Sequence, residues 1–88
     1  MTRVIIPPVL VELDGAKVYI LEVTEHTWLN GRKRFLVTLF VEYNGFRSPI
    51  FTLDVEDNQE LKSKLRAEIA KMKFIIMSGK HDIYKRIG

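Results

Sequence analysis

The chain has 88 residues, no cysteine, 47% hydrophobic residues and a formal net charge of +3. That length holds one hydrophobic core, and the apolar and aromatic content argues against disorder. The lack of cysteine excludes disulfides, thiolate nucleophiles and cysteine-held zinc, which suits a reducing, cytoplasmic location. No apolar run reaches the length of a membrane span, and Pro7-Pro8, Glu12 and Asp14 interrupt the only segment resembling a leader. The many Val, Ile, Lys, Glu and Arg residues and the short turns suit a thermophile.

In chain order, three Asx-Gly pairs punctuate the first half: Asp14-Gly15, Asn30-Gly31 and Asn44-Gly45. Such pairs between alternating or β-branched residues signal hairpins. They predict four antiparallel strands over residues 9–13, 16–28, 33–43 and 47–55. Pro49, lacking an N–H, is expected to face an open edge. Asp57 followed by Glu60 then reads as a capping box. Leu61, Leu65, Ile69, Met72 and Ile76 follow as one helical stripe, and Gly79 stands where a C-cap is needed. The predicted fold is α+β: a four-stranded antiparallel meander with one long C-terminal helix packed on one sheet face. Residues 1–79 form that domain and residues 80–88 a basic tail.

The strands have two unlike faces. If each Asn-Gly loop carries a one-residue bulge, odd positions share a face: Tyr19, Leu21, Val23, Phe35, Val37, Leu39, Val41, Phe51, Leu53 and Val55. That face is apolar and is assigned to the helix. The other face mixes arginines with apolar and aromatic groups, as a surface that meets a partner would.

Two functions fit this second face. In the first, Arg32, Lys33, Arg34 and Arg47 meet phosphates, while Trp28, Phe40, Tyr43 and Phe46 stack on the bases of single-stranded DNA or RNA. In the second, a homodimeric assembly module has no nucleic-acid role, and Leu36, Phe40 and Ile50 dock a protein. The C-terminal half of the helix is apolar almost all round. Either the tail, with Ile83, Tyr84 and Ile87, folds over it, or it forms a homodimer interface through Ile69, Met72, Phe74, Ile75, Ile76 and Met77. The homodimer is the expectation carried forward.

Catalysis is not expected. His26 and His81 stand far apart without partners at metal-ligand spacing, and no glycine-rich phosphate loop exists. The acidic group Asp54, Glu56, Asp57 and Glu60 suits a helix N-terminus. No metal or cofactor is predicted.

The order of elements resembles the DNA-binding domain of positive-cofactor-four-type transcriptional coactivators. The resemblance rests on "VELDGAKVYILEVTEHTW", residues 11–28, and on "FRSPIFTLDVEDNQELKSKL", residues 46–65. It implies a helix-mediated dimer that binds single-stranded DNA on its sheet, with Lys17, Trp28 and Arg47 at the nucleic acid. In size the chain also resembles small archaeal single-stranded-DNA-binding proteins of the ThermoDBP type.

Overall fold

The computed structural model of the chain describes residues 2–6 and 9–87. Its strands are β1 (Thr2–Ile6), β2 (Val9–Leu13), β3 (Ala16–Thr27), β4 (Lys33–Tyr43), β5 (Phe46–Arg47), β6 (Phe51–Val55) and β7 (Lys85–Arg86). The helix α1 (Asn58–Met77) stands between β6 and β7. The class is α+β, and all strand pairs are antiparallel. β3 and β4 form the centre of the sheet. β1 and β2 share the far edge of β3, β5 and β6 share the far edge of β4, and β7 closes on β5. Among the described residues the sheet therefore has seven strands rather than four. β1 precedes the predicted first strand, the predicted fourth divides into β5 and β6, and the tail supplies β7. Among the described residues, no helix is long and apolar enough to cross a membrane.

The turns explain how the faces fall. Asp14-Gly15 and Asn44-Gly45 have φ of 51°, 79°, 52° and 81°. These are two-residue turns of the primed type, and they pair Leu13 with Ala16 and Tyr43 with Phe46. Only the middle loop carries the extra residue that the parity scheme required at each Asn-Gly pair. There Gly31 N–H donates to Trp28 C=O and Trp28 N–H donates to Arg32 C=O, each at 2.8 Å. Elsewhere the adjustment is made inside the strands. The β3–β4 register shifts between Ile20 and Glu22, leaving Leu21 in a bulge. Val18 is consequently buried on the helix side, whereas Tyr19 lies on the opposite face beside Phe40, against expectation. Val23 beyond the bulge, with Val37, Leu39 and Val41 on β4 and Val55 on β6, is buried on the helix side as predicted.

A second adjustment separates β5 from β6. Pro49 sits in this irregular stretch, where its missing N–H costs no ladder bond. Ser48 supplies both partners instead: its N–H donates to Val41 C=O at 2.8 Å, and its Oγ accepts from Val41 N–H at 2.9 Å. Ser48→Ala leaves that Val41 donor without its acceptor beside the core. The expected loss is about 1–3 kcal/mol of unfolding free energy, read by urea denaturation.

Helix α1 begins as its sequence requires. The Asp57 carboxylate accepts from Glu60 N–H at 2.8 Å. The Glu60 side chain reaches back to Glu56 N–H, one residue before the cap, instead of closing on Asp57 itself. At the other end Gly79 takes φ 81°, its N–H donates to Ile76 C=O, and Lys80 N–H donates to Ile75 C=O. That pattern is a Schellman motif, and the left-handed position favours glycine. Leu65, Ile69 and Met72 are buried against the sheet, with Leu61 and Ile76 packed at the rim.

This placement corrects the predicted dimer seam. Ile69 and Met72 are 1% and 2% exposed and belong to the core, Ile76 packs on it, and Ile75 is half-buried. Of the six residues, only Phe74 (71%) and Met77 (85%) are exposed. The tail does not cover the C-terminal half of the helix, since Phe74, Met77, Ile83 and Ile87 all stay exposed, but it does fold back onto the domain. Tyr84 packs against the core, β7 pairs with β5, and Ile87 N–H donates to Gly45 C=O.

Candidate nucleic-acid interface

The sheet face opposite α1 is built from cross-strand rows. Glu12, Lys17, Glu42, Arg47 and Lys85 stand side by side across β2, β3, β4, β5 and β7. Leu10, Tyr19 and Phe40 form the next row, and Glu22, Thr38 and Thr52 the one after. The Tyr19 and Phe40 rings are stacked, with centroids 4.7 Å apart and planes 14° from parallel. The Arg47 guanidinium lies 4.8 Å from the Phe40 centroid, within cation–π range.

Glu42 holds this group together. It accepts from Arg47 Nε and Nη2 at 3.1 and 2.9 Å. Burial acts to raise its pKa, but hydrogen bonds from Arg47 and Tyr19, with the nearby charges of Arg47 and Lys17, outweigh that and hold it below its ordinary value. The hydrogen bond to the same carboxylate pushes the Tyr19 phenol up. The aromatic pair is thus fixed in place by a carboxylate that stays charged. Lys85 lies opposite Arg47 and has no carboxylate partner among the described residues. Arg86 sits on the helix side, 5.7 Å from the Phe46 ring centroid. Arg47, Lys85, Arg86 and Ile87 line a basic groove of about 200 Å³.

The hairpin tip differs from its sequence reading. Arg32 is bonded to Glu56, Lys33 lies 3.3 Å from Glu25, and Arg34 lies 2.8 Å from Asp54 and 3.6 Å from Glu60. The three cations are therefore set among carboxylates from β3, the end of β6 and the start of α1. Trp28 remains 55% exposed, and with His26, Thr27, Arg34, Leu36 and Asp54 it lines a groove of about 340 Å³.

Of the predicted site residues, Lys17, Phe40 and Arg47 come together. Trp28, Arg32, Lys33 and Arg34 form a separate group at the other end of β3 and β4. Tyr43 and Phe46 leave the site altogether, because the two-residue turn between them directs both to the helix side. Phe46 is buried there, and Lys73 Nζ lies 5.2 Å from the Tyr43 ring centroid. Two residues of the basic–aromatic group escaped the sequence reading. Tyr19 was concealed by the Leu21 bulge. Lys85 was signalled only by the cations of the tail.

The chain is thus a small α+β protein with one sheet face covered by its helix and an aromatic–basic cluster on the other. Comparison with known protein families, characterised proteins and solved structures finds no match.

Proposed function

We propose that the protein binds single-stranded nucleic acid, DNA or RNA, on the sheet face opposite α1, without catalysing a reaction. One observation carries this reading: the Tyr19–Phe40 stack under Arg47, on the face away from the helix, beside Lys17 and Lys85 in one cross-strand row. Aromatic faces take bases without strong sequence preference, and neighbouring cations follow the phosphates. Tyr19 and Phe40 are the stacking residues, and Lys17, Arg47 and Lys85 the phosphate contacts. Arg32 and Arg34 serve chiefly to join the hairpin to the end of β6 and the start of α1, and Lys33 to tie β4 to β3.

The test is binding of a fluorescently labelled single-stranded oligonucleotide, followed by anisotropy over a range of salt concentration. Three phosphate contacts give a log–log salt slope of about −2, at about 0.7 per contact. The double variant Lys17→Ala/Lys85→Ala should flatten the slope to about −0.7, while Arg32→Ala/Lys33→Ala leaves it unchanged. No binding at low salt would sink the proposal. The Trp28–Leu36 groove supports a second reading, a protein-docking module. There Trp28→Ala abolishes capture of a protein partner and leaves oligonucleotide affinity untouched.

A further inference from the structure

We infer that a second copy of this chain pairs on the free edge of β2, joining two sheets into one. β2 is an outer strand: among the described residues it pairs with β3 alone. Outer strands are commonly guarded by lysine, proline or a bulge, because their unpaired N–H and C=O groups template further pairing. β2 reads Val-Leu-Val-Glu-Leu: Glu12 is its one charge, and it has no lysine or proline and an unbroken register to β3. Val9, Leu10 and Val11 are 38%, 52% and 40% exposed, an apolar run left open on a sheet edge.

The register identifies the occupant. The two-residue turn at Asp14-Gly15 makes Leu13 and Ala16 a hydrogen-bonded pair. By alternation Val11 and Val9 also bond to β3, and the N–H and C=O of Leu10 and Glu12 point away from it. An antiparallel copy of the same strand, related by a two-fold axis at Val11, places Leu10 opposite Glu12 and Glu12 opposite Leu10. Every outward backbone group of those two residues then has a partner, and the two Glu12 carboxylates do not face each other. On the helix side Val9 meets Leu13 of the copy and Val11 meets Val11, so the exposed apolar side chains cover one another. β2 is self-complementary in backbone and apolar surface, with no like charges directly opposed, as a two-fold contact requires. The same geometry sets the Tyr19–Phe40 row of one copy in line with the Lys17–Arg47–Lys85 row of the other. The pairing itself does not depend on the nucleic-acid reading.

Sedimentation velocity over a range of protein concentration tests this, with three variants. The parent protein should be a dimer that dissociates on dilution. Leu10→Pro removes an N–H that the β3 ladder does not use, so it should abolish the dimer while the far-UV circular dichroism stays the same. Val11→Cys introduces the only thiol at the two-fold axis, in a non-hydrogen-bonded pair with Cα atoms about 4.5 Å apart. That separation is within disulfide range, so mild oxidation should give a covalent dimer on a denaturing non-reducing gel. Met77→Ser, on the exposed flank of α1, should leave the dimer intact. A parent protein monomeric at every concentration, a dimer surviving Leu10→Pro, an uncrosslinked Val11→Cys or a dimer lost in Met77→Ser would each overturn the proposal.

Discussion

Ile69→Ala should lower the unfolding free energy by about 2–5 kcal/mol, the range for truncating a buried Leu, Ile or Met. Ile69 is 1% exposed and sits with Leu65 and Met72 in the cluster that includes Leu39, Val41 and Val55. Its removal opens a cavity where the helix meets the sheet, and neighbours packed that densely cannot close it fully. For a domain of this size each kcal/mol shifts Tm by about 4–8 °C, so a fall of about 10 °C or more is expected. Phe74→Ala is the control. Phe74 is larger and lies on the same helix, yet it is 71% exposed and should change stability by less than about 0.5 kcal/mol. Thermal melts at two protein concentrations separate folding from association. A core residue lowers Tm equally at both, whereas a residue in a dimer seam changes the concentration dependence. Equal losses from Ile69→Ala and Phe74→Ala would restore the helix as the association surface and remove the assignment of Ile69 to the core.

What the sequence discloses depends on how local the signal is. The stripe of α1, the Asp57 cap, the Gly79 stop and the alternation of β4 are each written within a few residues, and each appears in the structure. The Leu21 bulge is not local in that sense. Tyr19-Ile20-Leu21-Glu22 contains no glycine or proline, and its shift appears only when β3 is laid against β4. One unmarked residue therefore exchanged Val18 for Tyr19 between the faces, because side-chain direction alternates at every step. The tip cations failed for a related reason. Arg32, Lys33 and Arg34 are adjacent in sequence to no acid, but the β4–β6 register sets Leu36 opposite Asp54 and brings Asp54 and Glu56 alongside. A run of charge in the chain is not a patch of charge on the surface until its cross-strand neighbours are counted. The strand β7 is two residues long and exists through its pairing with β5, so a propensity scan has nothing to detect.

The two ends of the outer face can be distinguished by one pair of substitutions. Phe40→Ala should weaken oligonucleotide binding by about 1–3 kcal/mol, or roughly fivefold to more than a hundredfold, the range for losing one base–aromatic stack. It also takes away the ring beneath Arg47 and one half of the stack with Tyr19. Phe40→Leu therefore belongs beside it: leucine retains apolar bulk against Tyr19 but offers no π face, so a similar loss of affinity assigns the effect to stacking. Trp28→Ala should change affinity for a short oligonucleotide by less than about twofold. Trp28 stands nine residues beyond Tyr19 along β3, about 30 Å at about 3.3 Å per residue. Its neighbouring cations are held by Glu25, Asp54, Glu56 and Glu60. A phosphate would have to displace those partners to gain the same charge. Exposed ion pairs are worth only about 0–1 kcal/mol each, so a strand bound at the tip would have to displace them. If Trp28→Ala abolishes binding while Phe40→Ala and Phe40→Leu do not, nucleic acid opens the tip network and binds there. The Tyr19–Phe40 stack would then be a packing feature of the sheet.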